Sequence, residues 1–464
     1  MSRDQAIAAI DEYYQNGDFE AELASRIAFK TESNLPNCDA ALEAYLDDDL
    51  VPYLSDMGFI CNTYPNPRSD AGPFLVAKRI EGSGLPTVMT YGHGDVVAGY
   101  DDQWDNAMSP WDITKVGERW YGRGTADNKG QHTINMAALK TVLDIRGSLG
   151  FNVTILIEMG EERGSPGLKD FCAAHKDLFE ADVFIASDGP RIHPDKPTIF
   201  MGSRGVFNFT MRLDSHAGGH HSGNWGGLLT NPGVVMAHAL ACMIDRNGKI
   251  LVEGWRNTRI PNSVRAAIAK LEVGGGENNP DINPTWGEPD MTIAERVFAS
   301  NTFEVRAFET GNPQSPANAI PPSAVVFGHL RYVVGTDINQ LMPLLRAHLD
   351  KHGFDDIVIT SERDPMHATR LDPEHPWAKW AVESLSQTAN GDIAVVPNLG
   401  GSLPNDVFAD LLGLPTIWVP HSYAGCSQHA PNEHILESIS KNALRLMTGL
   451  WWDLGEGNTP RQIS

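Results

Sequence analysis

The spacing of apolar and polar residues along the chain predicts alternating helices and strands. Apolar positions at helical spacing predict helices over 4–16, 19–29, 39–57, 133–145, 167–178, 232–244, 337–351, 375–387 and 433–451. Short apolar runs predict strands at 74–78, 87–91, 153–159, 182–187, 206–213, 324–333, 356–362 and 415–419. This alternation is typical of an α/β fold with a mostly parallel central sheet flanked by helices, in which ligands bind at the carboxyl ends of strands.

The pattern changes near Phe200–Gly205, and a polar stretch rich in Gly, Asn and Pro follows at 273–290. A chain of 464 residues is too long for one ordinary compact core. We therefore predict two units. The first combines residues 1–203 and 367–464, and the second is a smaller α+β domain inserted between them at 204–366.

Side chains that bind metal ions stand where strands of the first unit are predicted to end. They are His93, Asp95, the adjacent Glu161 and Glu162, Asp188, and His429 in the last of these loops. Imidazole and carboxylate groups are standard zinc ligands, and a ligating histidine usually donates its other N–H to a carboxylate. Because residues i and i+2 of a strand share a face, we expect Asp95 to orient His93. Glu161 and Glu162 are neighbours that point different ways, so one can bind metal while the other handles protons.

The glycine-rich turn Tyr121–Gly130 contains Asp127 and leads into the helix predicted at 133–145. Glycines let the backbone turn tightly there and approach a charged centre. A carboxylate has two oxygens and can therefore bind two metal ions, and metal ions paired about 3.5–4 Å apart are a known device for catalysing hydrolysis. Together with the strand-end residues, Asp127 predicts a two-metal site.

The order of these motifs resembles the family of co-catalytic zinc peptidases and amidohydrolases. This family includes carnosinases, aminoacylases, glutamate carboxypeptidases, and the acetylornithine and succinyl-diaminopimelate deacylases. The matching motifs are His-x-Asp at 93–95, Gly-Arg-Gly-x-x-Asp-x-Lys-Gly at 122–130, Glu-Glu-x-Gly-Ser at 161–165, Ser-Asp-Gly at 187–189, His-Ser-Gly at 221–223 and His-x-x-Asn-Glu at 429–433. They run in the family's order, which makes them far more specific together than any one alone.

The resemblance implies a role for each site residue. Asp127 is expected to bridge two metal ions, with His93 and Asp188 completing one site and Glu162 and His429 the other. Zn²⁺ suits these ligands, and Mn²⁺ or Co²⁺ also fits. Glu161 is the expected general base, which takes a proton from the attacking water and passes it to the leaving amine. The alternatives are that Glu161 and Glu162 exchange roles, or that Glu158 is the important acid.

The resemblance also identifies the inserted unit as a lid that often carries a dimer interface, so we expect a homodimer. His221 resembles the lid histidine that polarises the scissile carbonyl in the partner subunit's active site, although His216 and His220 are rivals for this role. Asn318 and Arg331 resemble the family's clamp for a substrate carboxylate, which an arginine binds with two parallel hydrogen bonds. The loop that contains Gly400, Gly401 and Ser402 offers backbone N–H groups to the same carboxylate.

Composition excludes several other classes of function. A formal net charge of −23 argues against binding to nucleic acid, because no basic patch is available to neutralise phosphates. No run approaches the ~18 apolar residues of a membrane span, and the first residues lack the apolar segment of a secretory signal. The five scattered cysteines are typical of reduced thiols in a cytoplasmic protein. Cys426 lies close to His429, but we interpret it as a structural loop residue because harder ligands already supply the site.

The sequence thus predicts a binuclear metal-dependent hydrolase that cleaves an amide bond next to a free carboxylate, in a dipeptide or an N-acyl amino acid. An aminohydrolase or carbamoyl-amide hydrolase acting on a small metabolite is the alternative with the same chemistry. A catalytically dead binding protein on the same fold is the alternative from another class, and an intact Glu161 beside a full ligand set argues against it.

Overall fold

The computed structural model describes residues 1–257, 259–274, 280–362 and 366–460. Its α-helices are Arg3–Gln15 (α1), Asp18–Ile27 (α2), Asp39–Ala44 (α3), Val51–Asp56 (α4), Lys129–Arg146 (α5), Leu168–Ala174 (α6), Ser222–Trp225 (α7), Pro232–Met243 (α8), Asn262–Ile268 (α9), Ile293–Phe298 (α10), Leu341–Lys351 (α11), Pro376–Ala389 (α12) and Glu437–Gly455 (α13). Short π-helical segments lie at Tyr45–Leu50 and Val407–Leu411.

The strands of these parts of the chain are Ile60–Tyr64 (β1), Phe74–Arg79 (β2), Thr87–His93 (β3), Thr114–Val116 (β4), Arg119–Tyr121 (β5), Asn152–Glu158 (β6), Val183–Ala186 (β7), Pro190–Arg191 (β8), Thr198–Phe200 (β9), Gly205–Asp214 (β10), His220–His221 (β11), Thr302–Thr310 (β12), Ala319–Ile320 (β13), Ser323–Tyr332 (β14), Val358–Ser361 (β15), Ala394–Val396 (β16), Thr416–Trp418 (β17), Ser422–Tyr423 (β18) and His434–Leu436 (β19).

The main sheet has eight strands in the order β1-β2-β6-β3-β7-β17-β9-β16. In its middle, β6, β3, β7 and β17 are parallel to one another, and β9 and β16 form a second parallel pair. The pairings β1/β2, β2/β6 and β17/β9 are antiparallel. The predicted α/β class with a mostly parallel central sheet is confirmed. Because the four middle strands run the same way, their carboxyl ends lie along one edge of the sheet.

Continuous apolar runs bury the middle strands on both faces. Ile155 of β6 packs in one cluster with residues of α5 and α13, while Leu156 of the same strand packs in a second cluster with Phe184 and Trp418. Successive residues of a strand point to opposite faces, so a strand with helices on both sides needs apolar residues at every position. Among the described residues, no helix combines the length and the apolar character that crossing a bilayer requires.

A second, antiparallel sheet has the order β12-β14-β10-β15, and all its strands lie within 204–366. Its core includes Met236 of α8 and Leu345 of α11. The two connections to the main sheet run side by side: Val206 bridges to Met366, and the Thr369 N–H donates to the Ser203 carbonyl over 3.0 Å. The division into two domains stays a prediction.

Several elements differ from the sequence-based expectation. β12 was not predicted, because most of its side chains are exposed and no buried face imposes a clear alternation. The helix expected at 133–145 begins earlier, at Lys129, directly behind Asp127. In the sequence, α9 and α10 flank the polar stretch at 273–290, of which 275–279 is outside the described residues. Although both belong to the predicted lid, they contribute Val264 and Phe298 to the core cluster of the main sheet.

Candidate metal centre

The carboxyl edge of the main sheet carries the candidate site. β3 ends at His93, which is paired in register with Glu158 at the end of β6. Asp188 follows the end of β7 by two residues, and His429 lies in the loop between β18 and β19. Asp127 comes from the turn immediately before α5. The structure therefore gathers at one edge residues that lie up to 336 positions apart, between His93 and His429.

Two groups of side chains share Asp127. In the first group, Nε2 of His93 lies 3.0 Å from Oδ1 of Asp127 and 3.8 Å from Oδ2 of Asp188. In the second, Nε2 of His429 lies 3.1 Å from Oδ2 of Asp127 and 3.0 Å from Oε2 of Glu162. Within each group the donor atoms lie within 4.8 Å of one another. The two oxygens of Asp127 thus face two separate sets of donors.

The electrostatics of this site also favours the binding of cations. Burial raises the pKa of Glu161 well above its usual value, and the carboxylates around it raise it further. Burial likewise raises the pKa of Glu162 to about 7 and that of Asp188 to about 6. Within the described residues, the ion-pair partners of Asp127, Asp188 and Glu162 are histidines alone. A buried group of carboxylates without lysine or arginine partners is stabilised by bound cations, so these residues fit divalent metal ions.

Asp127 differs from the other carboxylic acids of the site, because its pKa is lowered and not raised. Burial alone would raise its pKa, but the hydrogen bonds from His429 and His93 outweigh burial and hold the pKa of this carboxyl well below its usual range. The Gln428 amide also donates to Oδ2 of Asp127, over 3.2 Å. Asp127 is therefore the carboxylate of this cluster that is most firmly held in its ionised form.

Asp95 contacts the site in a way that its sequence position did not indicate. Nδ1 of His93 lies 3.0 Å from the backbone carbonyl of Asp95 and 3.4 Å from its carboxylate. The carboxylate mainly accepts from the backbone N–H groups of Glu161 and Glu162, over 3.0 and 3.2 Å, and from the Ser33 hydroxyl, over 2.7 Å. Asp95 therefore holds the two glutamates as well as the histidine.

Glu433 holds the turn that carries Asp127, a function that we did not anticipate. Its Oε1 accepts the backbone N–H groups of Ala126 and Asp127, over 2.9 and 3.0 Å. Its Oε2 accepts from Gly124 N–H over 3.0 Å and from the Arg123 guanidinium over 2.8 Å. Both members of this ion pair are 1 % exposed, and Arg123 also donates to the Ala430 carbonyl. The only sequence signal was that Arg123 and Glu433 both fall within the matching motifs.

The carboxylic acid of Glu158 and the thiol of Cys426 are two further groups near the site that are not candidate metal ligands. Glu158 is buried, its pKa is raised to about 7 by burial, and its Oε1 accepts from the Tyr91 and Ser165 hydroxyls over 2.6 and 3.0 Å. Cys426 is fully buried and burial raises its pKa to about 12, so the thiol stays protonated. Neither belongs to the two groups of candidate ligands.

Among the predicted lid residues, His221 and Asn318 lie in segments that contact each other. β11, which contains His221, pairs with β13, and the backbone carbonyl of Asn318 accepts from the Ser222 N–H over 2.9 Å. Nδ1 of His221 accepts the Gly223 N–H over 3.1 Å. His216 is instead bonded to the Thr230 carbonyl over 2.6 Å. Among the described residues, no hydrogen bond or ion pair joins His221 or Asn318 to the metal centre of the same chain.

Arg331 lies on β14, where the lid sheet meets the 400–402 loop. Its Nη1 donates to the Ser402 hydroxyl over 2.6 Å, and that hydroxyl donates to the Arg204 carbonyl over 2.6 Å. Arg204 was not singled out from the sequence, yet it is buried and its Nε donates to the Gly400 carbonyl over 2.7 Å. The structure thus brings Arg331 and Ser402 together and adds a second arginine beside them.

Comparison with known proteins agrees with the family resemblance found in the sequence. The family model described as peptidase family M20/M25/M40 matches residues 89–453. The β-Ala-His dipeptidase of Homo sapiens is 34 % identical over 367 residues, covering 75 % of this chain and 71 % of the relative. The cysteinylglycine-S-conjugate dipeptidase of Corynebacterium striatum is 25 % identical over 363 residues, or 76 % of each chain. An M20 family metallo-carboxypeptidase from Sulfolobus solfataricus has the same fold, with a TM-score of 0.80 and 23 % identity over 94 % of this chain and 99 % of that one.

Proposed function

This chain belongs to the peptidase family M20/M25/M40 and is a metal-dependent hydrolase, and on that premise we propose that it cleaves an amide bond next to a free carboxylate. The substrate is a dipeptide or an N-acyl amino acid. The observation that carries the proposal is the sharing of Asp127 by two groups of donors. Both named relatives are dipeptidases, which favours a dipeptide.

We assign two divalent metal ions to the site, with Zn²⁺ as the first choice and Mn²⁺ or Co²⁺ as alternatives. Asp127 would bridge them, His93 and Asp188 would complete one site, and Glu162 and His429 the other. When bound, the ions supply a nucleophilic water at neutral pH and polarise the scissile carbonyl. The fit of the donors and the excess of buried carboxylate charge support this assignment.

Glu161 is the general base in this proposal. It takes a proton from the attacking water and delivers it to the leaving nitrogen. Burial raises the pKa of Glu161, which makes its carboxylate a stronger base. Asp95 keeps Glu161 and Glu162 in place by accepting both backbone N–H groups. Glu158 is a poorer candidate, because one of its oxygens is occupied by two hydroxyl donors.

His221 polarises the scissile carbonyl from the lid. Its Nδ1 accepts a backbone N–H, so the proton of the neutral ring lies on Nε2 and is available as a hydrogen-bond donor. His216 is less suited because its Nε2 already bonds to a carbonyl. Asn318, Arg331, Gly401 and Ser402 form the binding site for the substrate carboxylate.

A homodimer through the lid is part of the proposal. Val305 and Phe308, on the outer strand β12, are each 42 % exposed, and Val234 on α8 is 55 % exposed. An unpaired strand edge with apolar neighbours is a natural place for a second chain to bind. A cytoplasmic location is supported by the five cysteines, all of which are free thiols.

Metal removal and a substrate panel test the proposal. Chelation should abolish hydrolysis, and Zn²⁺, Mn²⁺ or Co²⁺ should restore it. The panel should contain dipeptides and acetyl, succinyl and carbamoyl amino acids, and activity is expected on the first of these classes. Full activity in protein that elemental analysis shows to be metal-free would refute the two-metal assignment. Selective hydrolysis of carbamoyl compounds would instead favour a carbamoyl-amide hydrolase.

A further inference from the structure

Next to the candidate metal centre, three buried polar side chains form a hydrogen-bond chain that no step of the proposed mechanism uses. They are Tyr45, at the start of a π-helical segment, Asn128, which directly follows Asp127, and His132 in the first turn of α5. The Tyr45 hydroxyl lies 2.6 Å from Nε2 of His132, and Nδ1 of His132 lies 3.2 Å from Oδ1 of Asn128. Because a buried polar group without a partner is costly, the chain is favourable only while every member keeps its hydrogen bonds.

The Asn128 side chain determines the direction of every hydrogen bond in this chain. Its amide nitrogen donates to the Ser187 carbonyl over 2.9 Å, and a carbonyl can only accept. The amide oxygen therefore accepts from Nδ1 of His132. Burial lowers the pKa of His132 well below its usual value, so the ring is neutral and its Nε2 accepts from the Tyr45 hydroxyl. The chain has a single polarity, from Tyr45 to Ser187.

The Asn128 amide connects the two carboxylates of the first group of donors. Asn128 is the residue after Asp127, and the carbonyl to which it donates belongs to Ser187, the residue before Asp188. Burial raises the pKa of Asp188 to about 6, and a hydrogen bond from the Asn128 side chain acts in the opposite direction. One amide thus contacts the segments that carry both carboxylates.

The strand that carries the histidine of the first group lies against the same side chains. Gly92 precedes His93 in β3, and a Cβ atom at Gly92 would lie 2.8 Å from Cβ of His132 and 3.2 Å from Oδ1 of Asn128. The first distance is too short for two carbon atoms, so only glycine allows this close approach. The hydrogen-bond chain is therefore packed directly against the backbone next to His93.

Asn128 does not serve the purpose that is usual for an asparagine at its position. It is the N-cap residue of α5, where an asparagine side chain commonly accepts a backbone N–H of the first turn. Its side chain makes no capping hydrogen bond within the described chain. Both ends of the amide are instead bonded to His132 and to the Ser187 carbonyl, so the side chain joins the start of α5 to the end of β7.

We propose that Tyr45 and His132 are positioning residues for the metal site of His93, Asp127 and Asp188. They fix the orientation of the neighbouring amide, which holds the two carboxylate-bearing segments together. This inference rests on the two-metal assignment in the proposed function and adds two residues that are not ligands. Among the described residues, no hydrogen bond joins Tyr45 or His132 to the ligands of the other site, so the effect is expected mainly on one of the two sites.

Removing the Tyr45 hydroxyl tests the proposal. Tyr45→Phe keeps the ring but leaves Nε2 of His132 without a donor. The imidazole can then adopt its other tautomer, in which an unprotonated Nδ1 faces the Asn128 oxygen and the two acceptors repel each other. The orientation of the amide is no longer fixed, and we expect weaker metal binding at the site beside it.

Each metal site is measured alone by competition for Zn²⁺ with a chromophoric chelator. The His429→Ala background keeps the site of His93, Asp127 and Asp188, and the His93→Ala background keeps the other. Tyr45→Phe should lower Zn²⁺ affinity about 10- to 100-fold in the first background and less than about threefold in the second. If a background binds no Zn²⁺, the two successive binding steps of the otherwise unmodified protein give the same test, because only one step should weaken. No decrease at the first site, or equal decreases at both, would overturn the proposal.

Two comparisons separate positioning from a general loss of stability. Tyr332→Phe removes another buried tyrosine hydroxyl, which donates to the Met366 carbonyl over 2.7 Å, and it should leave both Zn²⁺ affinities unchanged. His132→Gln keeps a donor and an acceptor and should retain most of the affinity, whereas His132→Leu keeps neither and should lose about 10-fold or more at the first site. Equal effects of glutamine and leucine, or equal effects of the two Tyr→Phe variants, would contradict the proposal.

Measuring Zn²⁺ affinity and hydrolysis separately distinguishes this inference from the proposed function. If Tyr45→Phe selectively weakens the first site and no amide substrate is cleaved by the metal-loaded protein, the proposed function fails and the positioning role stands. If dipeptides are cleaved by protein with two bound metal ions and Tyr45→Phe changes neither affinity, the positioning role fails and the proposed function stands.

Discussion

Replacing Glu433 with glutamine should weaken metal binding, although Glu433 is not one of the residues that we assign as ligands. Glutamine preserves the size of the side chain but turns one oxygen into an amide NH₂, which cannot accept a hydrogen bond. Each oxygen of Glu433 accepts two bonds, so two of the four are lost whichever way the amide is turned. Arg123 loses its charged partner at the same time.

The size of the expected effect of Glu433→Gln follows from the burial of the ion pair between Arg123 and Glu433. Both side chains are 1 % exposed, and removing one member of a buried ion pair costs about 3–5 kcal/mol. Asp127 N–H is one of the four donors, and the other three belong to the same turn. The turn that carries the assigned metal bridge is therefore disturbed in either orientation of the amide. Loss of a group that orients a ligand typically lowers metal affinity about 10- to 100-fold, and we expect a decrease in this range.

Competition with a chromophoric chelator measures the metal affinity of Glu433→Gln against that of the unmodified protein. Glu288→Gln is the matched control, because Glu288 is also buried and paired with an arginine, Arg256, but belongs to the segment between α9 and α10. It should lower stability and leave metal affinity unchanged. Unchanged affinity in Glu433→Gln, or an equal decrease in both variants, would refute the assigned role of Glu433.

Three further variants test the assigned roles. Glu161→Gln should keep its metal ions and lose about 10²- to 10⁴-fold in kcat, whereas loss of metal would identify Glu161 as a ligand. Arg331→Ala should raise KM for substrates with a free carboxylate and spare their amidated analogues, and an equal effect on both would make Arg331 structural. His221→Ala and Glu161→Gln chains, refolded together, should recover about a quarter of full activity. If chains pair at random, about half of the dimers are mixed, and one of the two sites is intact in each mixed dimer. No recovery in verified mixed dimers would exclude a role for His221 in the partner's site.

Strand periodicity predicted β2, β3, β6, β7 and β17 of the main sheet and the edge at which the candidate ligands meet, but it did not predict β1, β9 and β16. The apolar run of β6 predicts burial on both faces because successive side chains alternate sides, and a strand buried on both faces belongs to the middle of a parallel sheet. His93, Glu162 and Asp188 follow such runs in the sequence. Their proximity was therefore predictable from local pattern together with the rule that parallel strands end at one edge.

Tertiary structure alone decided the contacts between distant segments with no periodic signal. Glu433 and Arg123 are 310 positions apart, and nothing in the pattern around either residue indicates which buried charge pairs with it. Arg204 likewise acquires its neighbours from the 400–402 loop and from β12, an exposed strand whose pattern did not reveal it. Periodicity reports which side of an element is buried, but the partner of a buried polar group depends on how the elements pack.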